Sequence, residues 1–484
     1  MSTVTWTLRG RLLLDPQLPE LQALADVSTR NHGSTVALPG VRVRIEGKQF
    51  DADPTGWETW GEDVTDAEGH FEIRHEKNEL RRLLRVSCQF KDDRLKLYAP
   101  NDSLAKKLLE LATDLAAGPF HQLATDIKED VIEQLIEQTS RIAYDVKWLT
   151  LHDSGNKHGP GVIDFSNLTF ASGRNHALGD FVARRHAEIW HLMKAAMAHI
   201  DGLGGGVGFR TDKPLALMHP HDNSALPADI QASYANPHND VIYLVQTARR
   251  DDFDAGAILH EMMHLWAYQH SHGEERLATY LLTHFDTHTG RQTPYTACHE
   301  AMAEALSNEV YRQLFHARAT VYGADHAQRR PFSRPHLRAQ GMRSLADLDR
   351  FEHGWLSAFG LLLCPDVAGL DMNEGDPYAN DATPGDRAVA PMRDVPVITL
   401  AELMRAIARS DGDRDDGWDR DTMYIDALLS RCEAELPHFT KDHHAAYLRI
   451  LDPSETAQPI ALLPSSLTSV EAPTALGRAL GQGL

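Results

Sequence analysis

This 484-residue chain has no long apolar run. No stretch approaches the roughly 18 consecutive apolar residues of a membrane-spanning helix. No signal peptide is expected from the opening residues. The opening MSTVTWTLRGRLLLDP puts Arg9 and Arg11 where a signal peptide needs an apolar core. Cysteine is scarce: Cys88, Cys298, Cys364 and Cys432 are scattered, with no CxxC pair. That excludes a disulfide framework and a thiolate metal site, and it suits a reducing compartment. The expected location is therefore cytoplasmic, or outside the cell by a route without a signal peptide. Basic residues are outnumbered, 48 against 69 acidic, which leaves a formal charge of −21. Such a field repels phosphate backbones and anionic lipid, so neither nucleic acid nor a membrane is expected as partner. The glycine run Asp201-Gly202-Leu203-Gly204-Gly205-Gly206 lacks the Gly-Lys-Ser/Thr ending of a phosphate loop and reads as a turn. No internal repeat is visible, and nothing in the sequence speaks to oligomeric state.

What is present is ordinary globular material, with 42% hydrophobic and 24% charged residues. At roughly 150 residues per domain, two to four domains are expected. Histidine is the unusual component: 20 of the 27 fall between His152 and His353. That clustering points to the middle of the chain for metal chemistry.

Residues 1–98 read as a small β domain. Val41-Arg42-Val43-Arg44-Ile45 and Phe71-Glu72-Ile73-Arg74 alternate with period two, and Leu84–Phe90 is a third strand. Asp66-Ala67-Glu68-Gly69 supplies a turn. Short strands between turns predict an antiparallel sandwich. The order GVRVRIEG, VTDAEGHFEIR, LRVSCQF resembles the transthyretin-like module found beside carboxypeptidases, which implies a binding or spacer role. Residues 99–172 read as a linker, helical over 103–150 and loop over 151–172. A helix is expected over about 178–200 and a strand at Val241–Val245, with Asp252 and Asp254 as candidate helix caps. Helices follow at about 275–286, 296–317, 345–363 with a break near Gly354, 398–410, 420–435 and 440–450. Residues 366–396 read as a long loop, and 453–484 as a loosely ordered tail.

The central signal is Ala257-Ile258-Leu259-His260-Glu261-Met262-Met263-His264-Leu265-Trp266. On a helix, His260 and His264 share one face, so both imidazoles can reach one ion. Zinc suits neutral imidazole in a tetrahedral site with one open position. Glu261 is placed to take a proton from a metal-activated water. A third ligand is needed, and two residues compete. Glu300 opens Glu300-Ala301-Met302-Ala303-Glu304, 36 positions after His264. Glu304, one turn on, could hold the free ring nitrogen of a ligating histidine. His270 is the rival, through the spacing HExxHxxGxxH, with Ala267 in place of its glycine. That alanine favours an unbroken helix, which turns His270 about 280° away from His260. Glu300 is preferred.

HEMMH with the EAMAE helix resembles zinc metallopeptidases of the gluzincin clan, the thermolysin-like group. The resemblance covers about residues 175–365. It implies one Zn2+ held by His260, His264 and Glu300, Glu261 as catalytic base, and a peptide or protein substrate. Ala232, Ser233 and Tyr234, before Val241–Val245, resemble the edge strand that holds substrate extended. The GAMEN exopeptidase motif is absent. Gluzincins also supply a tyrosine or histidine to the oxyanion; His353, Tyr311 and Tyr322 are the candidates, and His353 resembles the one placed before a helix. The acidic segments Asp411–Gly417 and Asp366–Asp386 fit no complete calcium loop.

The expected fold is α+β: the antiparallel sandwich (1–98), the linker (99–172), then a two-lobed zincin unit. Its sheet and site helix occupy 173–274, and a mostly helical lobe with the third ligand occupies 275–452. The expected function is zinc-dependent peptide hydrolysis. The rival is a non-hydrolytic protein that binds peptides or partners on the same scaffold.

Overall fold

Period-two burial organises the N-terminal strands. In β1 (Val4–Leu14), Trp6, Leu8 and Leu12 point inward while Thr5 and Arg9 are exposed. The computed structural model describes residues 4–15, 21, 35–49, 56–77, 82–99, 146–170, 178–212, 214–221, 233–236, 240–245, 255–270, 294–315, 337–338, 340–363, 398–408 and 424–454. Within them the chain is mixed α+β, as its sequence led us to expect.

The first strands after β1 are β2 (Val36–Ala37), β3 (Arg42–Lys48), β4 (Glu58–Val64), β5 (His70–Lys77) and β6 (Leu83–Gln89). Next come β7 (Leu95–Tyr98), β8 (Leu149–Asp153) and β9 (Gly161–Phe170). One sheet is built on β1, which pairs with β2, β5 and β9; the other has the order β4-β3-β6-β8. The two touch where Trp6 meets Trp60 edge to face, with centroids 4.9 Å apart. Gly47 makes room for that indole, since a Cβ there would lie 2.2 Å from the Trp60 ring. The turn at Asp66–Gly69 forms because Asp66 Oδ1 accepts from the amides of Glu68 (3.0 Å) and His70 (2.7 Å).

Three expectations need correction. Of the stretch expected as loop over 151–172, residues 151–170 are described and are not a loop within a linker: β8 pairs antiparallel with β6, and β9 pairs with β1. The sandwich is not purely antiparallel, because β9 runs parallel to β1. The boundary at 98 fails as well. β7 leaves the sandwich and pairs with β10 (Leu215–His221), in a sheet that also holds β11 (Tyr234–Asn236) and β12 (Val241–Val245). The order there is β11-β12-β10-β7, parallel except for β11, the antiparallel edge.

Helices α1 (Leu178–Gly202) and α2 (Ala255–His270) pack on this sheet. Helix α3 (Pro294–Phe315) lies along α2, and α4 (Leu345–Leu348) and α5 (Glu352–Leu363) follow, α5 against α3. The break expected near Gly354 falls just before α5. A Cβ on Gly354 would lie 2.3 Å from the Leu348 carbonyl oxygen, so only glycine lets the two segments meet this closely. The remaining helices are α6 (Leu400–Ile407), α7 (Ile425–Glu435) and α8 (Lys441–Leu451). Capping boxes open α6 and α8, at Thr399/Glu402 and Thr440/His443. One continuous apolar cluster runs from Trp6 through α1, α2 and α3 to Leu451. Gly204, Gly205 and Gly206 all have positive φ, consistent with a turn and not a phosphate loop.

The expected helix at 275–286, the caps Asp252 and Asp254, the loop at 366–396, the Asp411–Gly417 segment and the chain beyond 454 lie outside the described residues. So do residues 100–145 of the linker. Among the described residues, no helix is long and apolar enough to cross a membrane.

Candidate metal centre

Helix α2 carries no charged side chain except Glu261, and it is buried on most sides. A helix that is apolar nearly all round belongs inside a core, here between the sheet and α3. His264 is buried, and His260 is partly open on the face toward α3. Helix α3 presents Glu300 to that face, 3% exposed.

Three ligand atoms converge. His260 Nε2 lies 3.0 Å from His264 Nε2. Glu300 Oε2 lies 3.5 Å from each of them. Metal–ligand bonds of zinc length in a tetrahedral site separate ligand atoms by about 3.3–3.6 Å. Two edges of the triangle match that spacing, and the histidine–histidine edge is slightly shorter. Two imidazoles and one carboxylate are also the donor set of a catalytic zinc site. The residues present therefore fit a metal ion with the size and ligand preferences of zinc.

Charge balance points the same way. Glu261 and Glu300 are buried, and Glu304 is only 16% exposed at its side chain. Three carboxylates gathered with so little access to water favour positive charge among them, on the imidazoles or on an ion. Burial by itself would lower the affinity of His260 for a proton. Bonds to Glu300 and Glu304, with the charge of Glu261, outweigh it and hold this imidazole well above its usual range. A proton and a metal ion thus compete for the same place.

Glu304 meets the other side of the ring: its Oε2 is 3.4 Å from His260 Nδ1. That contact leaves Nε2 of His260 facing Glu300 and His264. Glu261, next to His260 and 4% exposed, is near enough for its charge to act on that ring.

His270 does not join the group. Helix α2 continues unbroken through Ala267, which is fully buried, to His270. The His270 ring stacks on Trp266 and its Nε2 bonds the Gly208 carbonyl at 2.9 Å. His353 sits half-buried in the first turn of α5, and its ring is not among the converging atoms. Tyr311 is buried against Phe315, eleven residues past Glu300 and so about 16 Å further along α3, which puts the converging atoms beyond its reach. Of the proposed substrate strand, Ser233 is half-buried and Tyr234 opens β11, while Ala232 and the other candidate Tyr322 fall outside the described residues.

Several supporting residues were not foreseen. Gln269 Nε2 donates to Asp240 Oδ1 at 2.7 Å and so ties the end of α2 to the β11–β12 connection. Asn308 Nδ2 donates to Glu304 Oε1 at 2.8 Å. The first is a long-range contact without a sequence signature. The second has one, since Asn308 is four residues after Glu304 on the same helix face. A second group of possible ligands, Asp66, Glu68 and His70, is fully exposed on the β4–β5 turn. The chain matches no protein-family model, no curated protein and no solved structure.

Proposed function

We propose that this protein is a zinc-dependent peptidase. The observation that carries the reading is the convergence of His260 Nε2, His264 Nε2 and Glu300 Oε2 within 3.0–3.5 Å, beside the buried carboxylate of Glu261. A zinc ion held by those three atoms would supply a water of lowered pKa and polarise a scissile carbonyl. Glu261, one residue from a ligand and not itself one, takes the proton of the attacking water on its carboxylate and passes it to the leaving amine. Glu304 holds His260 Nδ1, which keeps Nε2 directed at Glu300 and His264, where an ion would sit.

The sheet supports the substrate side of this reading. β11 is an edge strand packed on α2, and it pairs with β12 on one side. An extended peptide can pair with its other side and lie alongside the site helix. On this reading the sheet and α2 would form one lobe of a zincin and the helices around α3 the other. His353, at the start of α5 beside α3, stays the candidate for the developing oxyanion.

The test is Glu261→Gln. The variant should keep its zinc, because the residue is not a ligand, and lose cleavage of a broad peptide library by several orders of magnitude. Near-normal turnover by a folded, zinc-loaded variant would remove this mechanism. Zinc in the wild type without cleavage of any peptide would favour a binding protein on the same scaffold.

A further inference from the structure

We infer that Asn308 is a positioning residue for the metal centre, acting through Glu304; this rests on the zinc reading given above. Glu300, Glu304 and Asn308 are spaced four apart on α3, so they form one stripe over two turns of the face toward α2. Their contacts run in series. Glu300 Oε2 lies among the imidazole nitrogens of His260 and His264. Glu304 Oε2 meets His260 Nδ1 at 3.4 Å, and Glu304 Oε1 accepts from Asn308 Nδ2 at 2.8 Å.

The geometry divides the Glu304 carboxylate between two partners. A glutamate has three rotatable bonds, and its final torsion is broad. At 3.4 Å the contact to His260 is a long one and orients the carboxylate weakly. The amide of Asn308 takes the other oxygen at a normal hydrogen-bond length and removes most of the remaining freedom. The result is a carboxylate whose Oε2 is directed at His260 before any ion arrives, so the orientation of the imidazole is set in advance.

Residue type matters here. The asparagine amide donates to Glu304 Oε1 through Nδ2, which leaves Oε2 to His260. An aspartate at 308 would set two carboxylates four residues apart on one helix face, and they would repel. An ordinary surface pair at this spacing would add a few tenths of a kcal/mol to the helix and nothing to the metal. A positioning role makes a different demand: the effect must appear in metal affinity and must vanish once Glu304 is gone.

The experiment measures zinc affinity by chelator competition on the full chain, with thermal unfolding of the metal-free protein alongside. Asn308→Ala should weaken zinc about 3–10-fold, less than the roughly 10–100-fold expected for Glu304→Ala. Asn308→Asp should weaken it at least as much as Asn308→Ala. In a Glu304→Ala background, adding Asn308→Ala should change the affinity less than 2-fold, because the group it positions is absent. Equal affinity of wild type and Asn308→Ala would overturn the inference. So would an undiminished loss in the Glu304→Ala background, or a loss matched by a fall in the metal-free unfolding temperature. If the wild type itself takes up no zinc, the metal reading above has failed and not this step alone.

Discussion

His264, Glu300 and His270 separate two ways of closing the metal site. All three lie within 45 residues, and two of them are histidines near the end of α2. The helix decides between the candidates. Because α2 does not break at Ala267, His270 turns toward Gly208 and Glu300 fills the third corner from α3. Glu300→Ala and His264→Ala should therefore each strip zinc from the purified protein to a similar degree. His270→Ala should leave zinc stoichiometry unchanged, while the lost bond to the Gly208 carbonyl costs about 1 kcal/mol of stability. Metal analysis of the three variants, with denaturant unfolding of the last, checks this. Zinc lost from His270→Ala and kept by Glu300→Ala would reverse the assignment.

Helix α1 is fastened to the site sheet by a histidine that stays neutral. His186 is 2% exposed, and its Nε2 donates to the His219 carbonyl of β10 at 2.9 Å. Burial pushes its pKa down to about 4, against the opposing effect of that carbonyl. An unfolded histidine titrates near 6.5. Between those values the unfolded chain binds a proton that the folded chain refuses, so stability falls as pH drops from about 6.5 to about 4. Above about 6.5 this group contributes no pH dependence. Comparing unfolding free energies at pH 7 and 4.5, His186→Gln should lose about 2–3 kcal/mol less than the wild type, since glutamine keeps a donor and binds no proton. The same loss in both proteins would mean that the helix–sheet contact does not control this part of the acid transition.

The sandwich and the metal half are not independent units. β7 comes from the N-terminal hundred residues, yet it is the strand beside β10. Further links cross the same junction: Trp190 Nε1 of α1 donates to the Pro39 carbonyl at 3.1 Å, and Arg94 pairs with Asp201. The apolar core is continuous across it. Removing residues 1–98 should therefore strip the outer strand from the site sheet and expose apolar surface of both layers. The expected outcome is an insoluble or uncooperatively unfolding fragment that does not hold stoichiometric zinc. A soluble fragment with a sharp thermal transition and one bound zinc would show that β7 is dispensable.

Local patterns determined much of this protein. The period-two runs at Val43 and Ile45, and at Phe71 and Ile73, predict strands because burial alternates along a pleated chain, and β3 and β5 lie there. The four-residue spacings of His260 with His264 and of Glu300 with Glu304 place each pair on one helix face, because the helical period needs no tertiary information. Ala267 predicted an unbroken helix for the same reason. Pairing between distant segments was not legible. Nothing in Leu95–Tyr98 says that it joins a strand more than a hundred residues later, and Gly161–Phe170, in a stretch rich in Gly, Asp, Asn and His, reads as loop although it lies beside β1. Strand partners are chosen by burial and backbone hydrogen bonds across the whole chain, which short windows do not contain. The meeting of Glu300 with the two imidazoles belongs to that second class. The sequence named the residues, and only the packing of α3 along α2 brought one carboxylate oxygen to 3.5 Å from both rings.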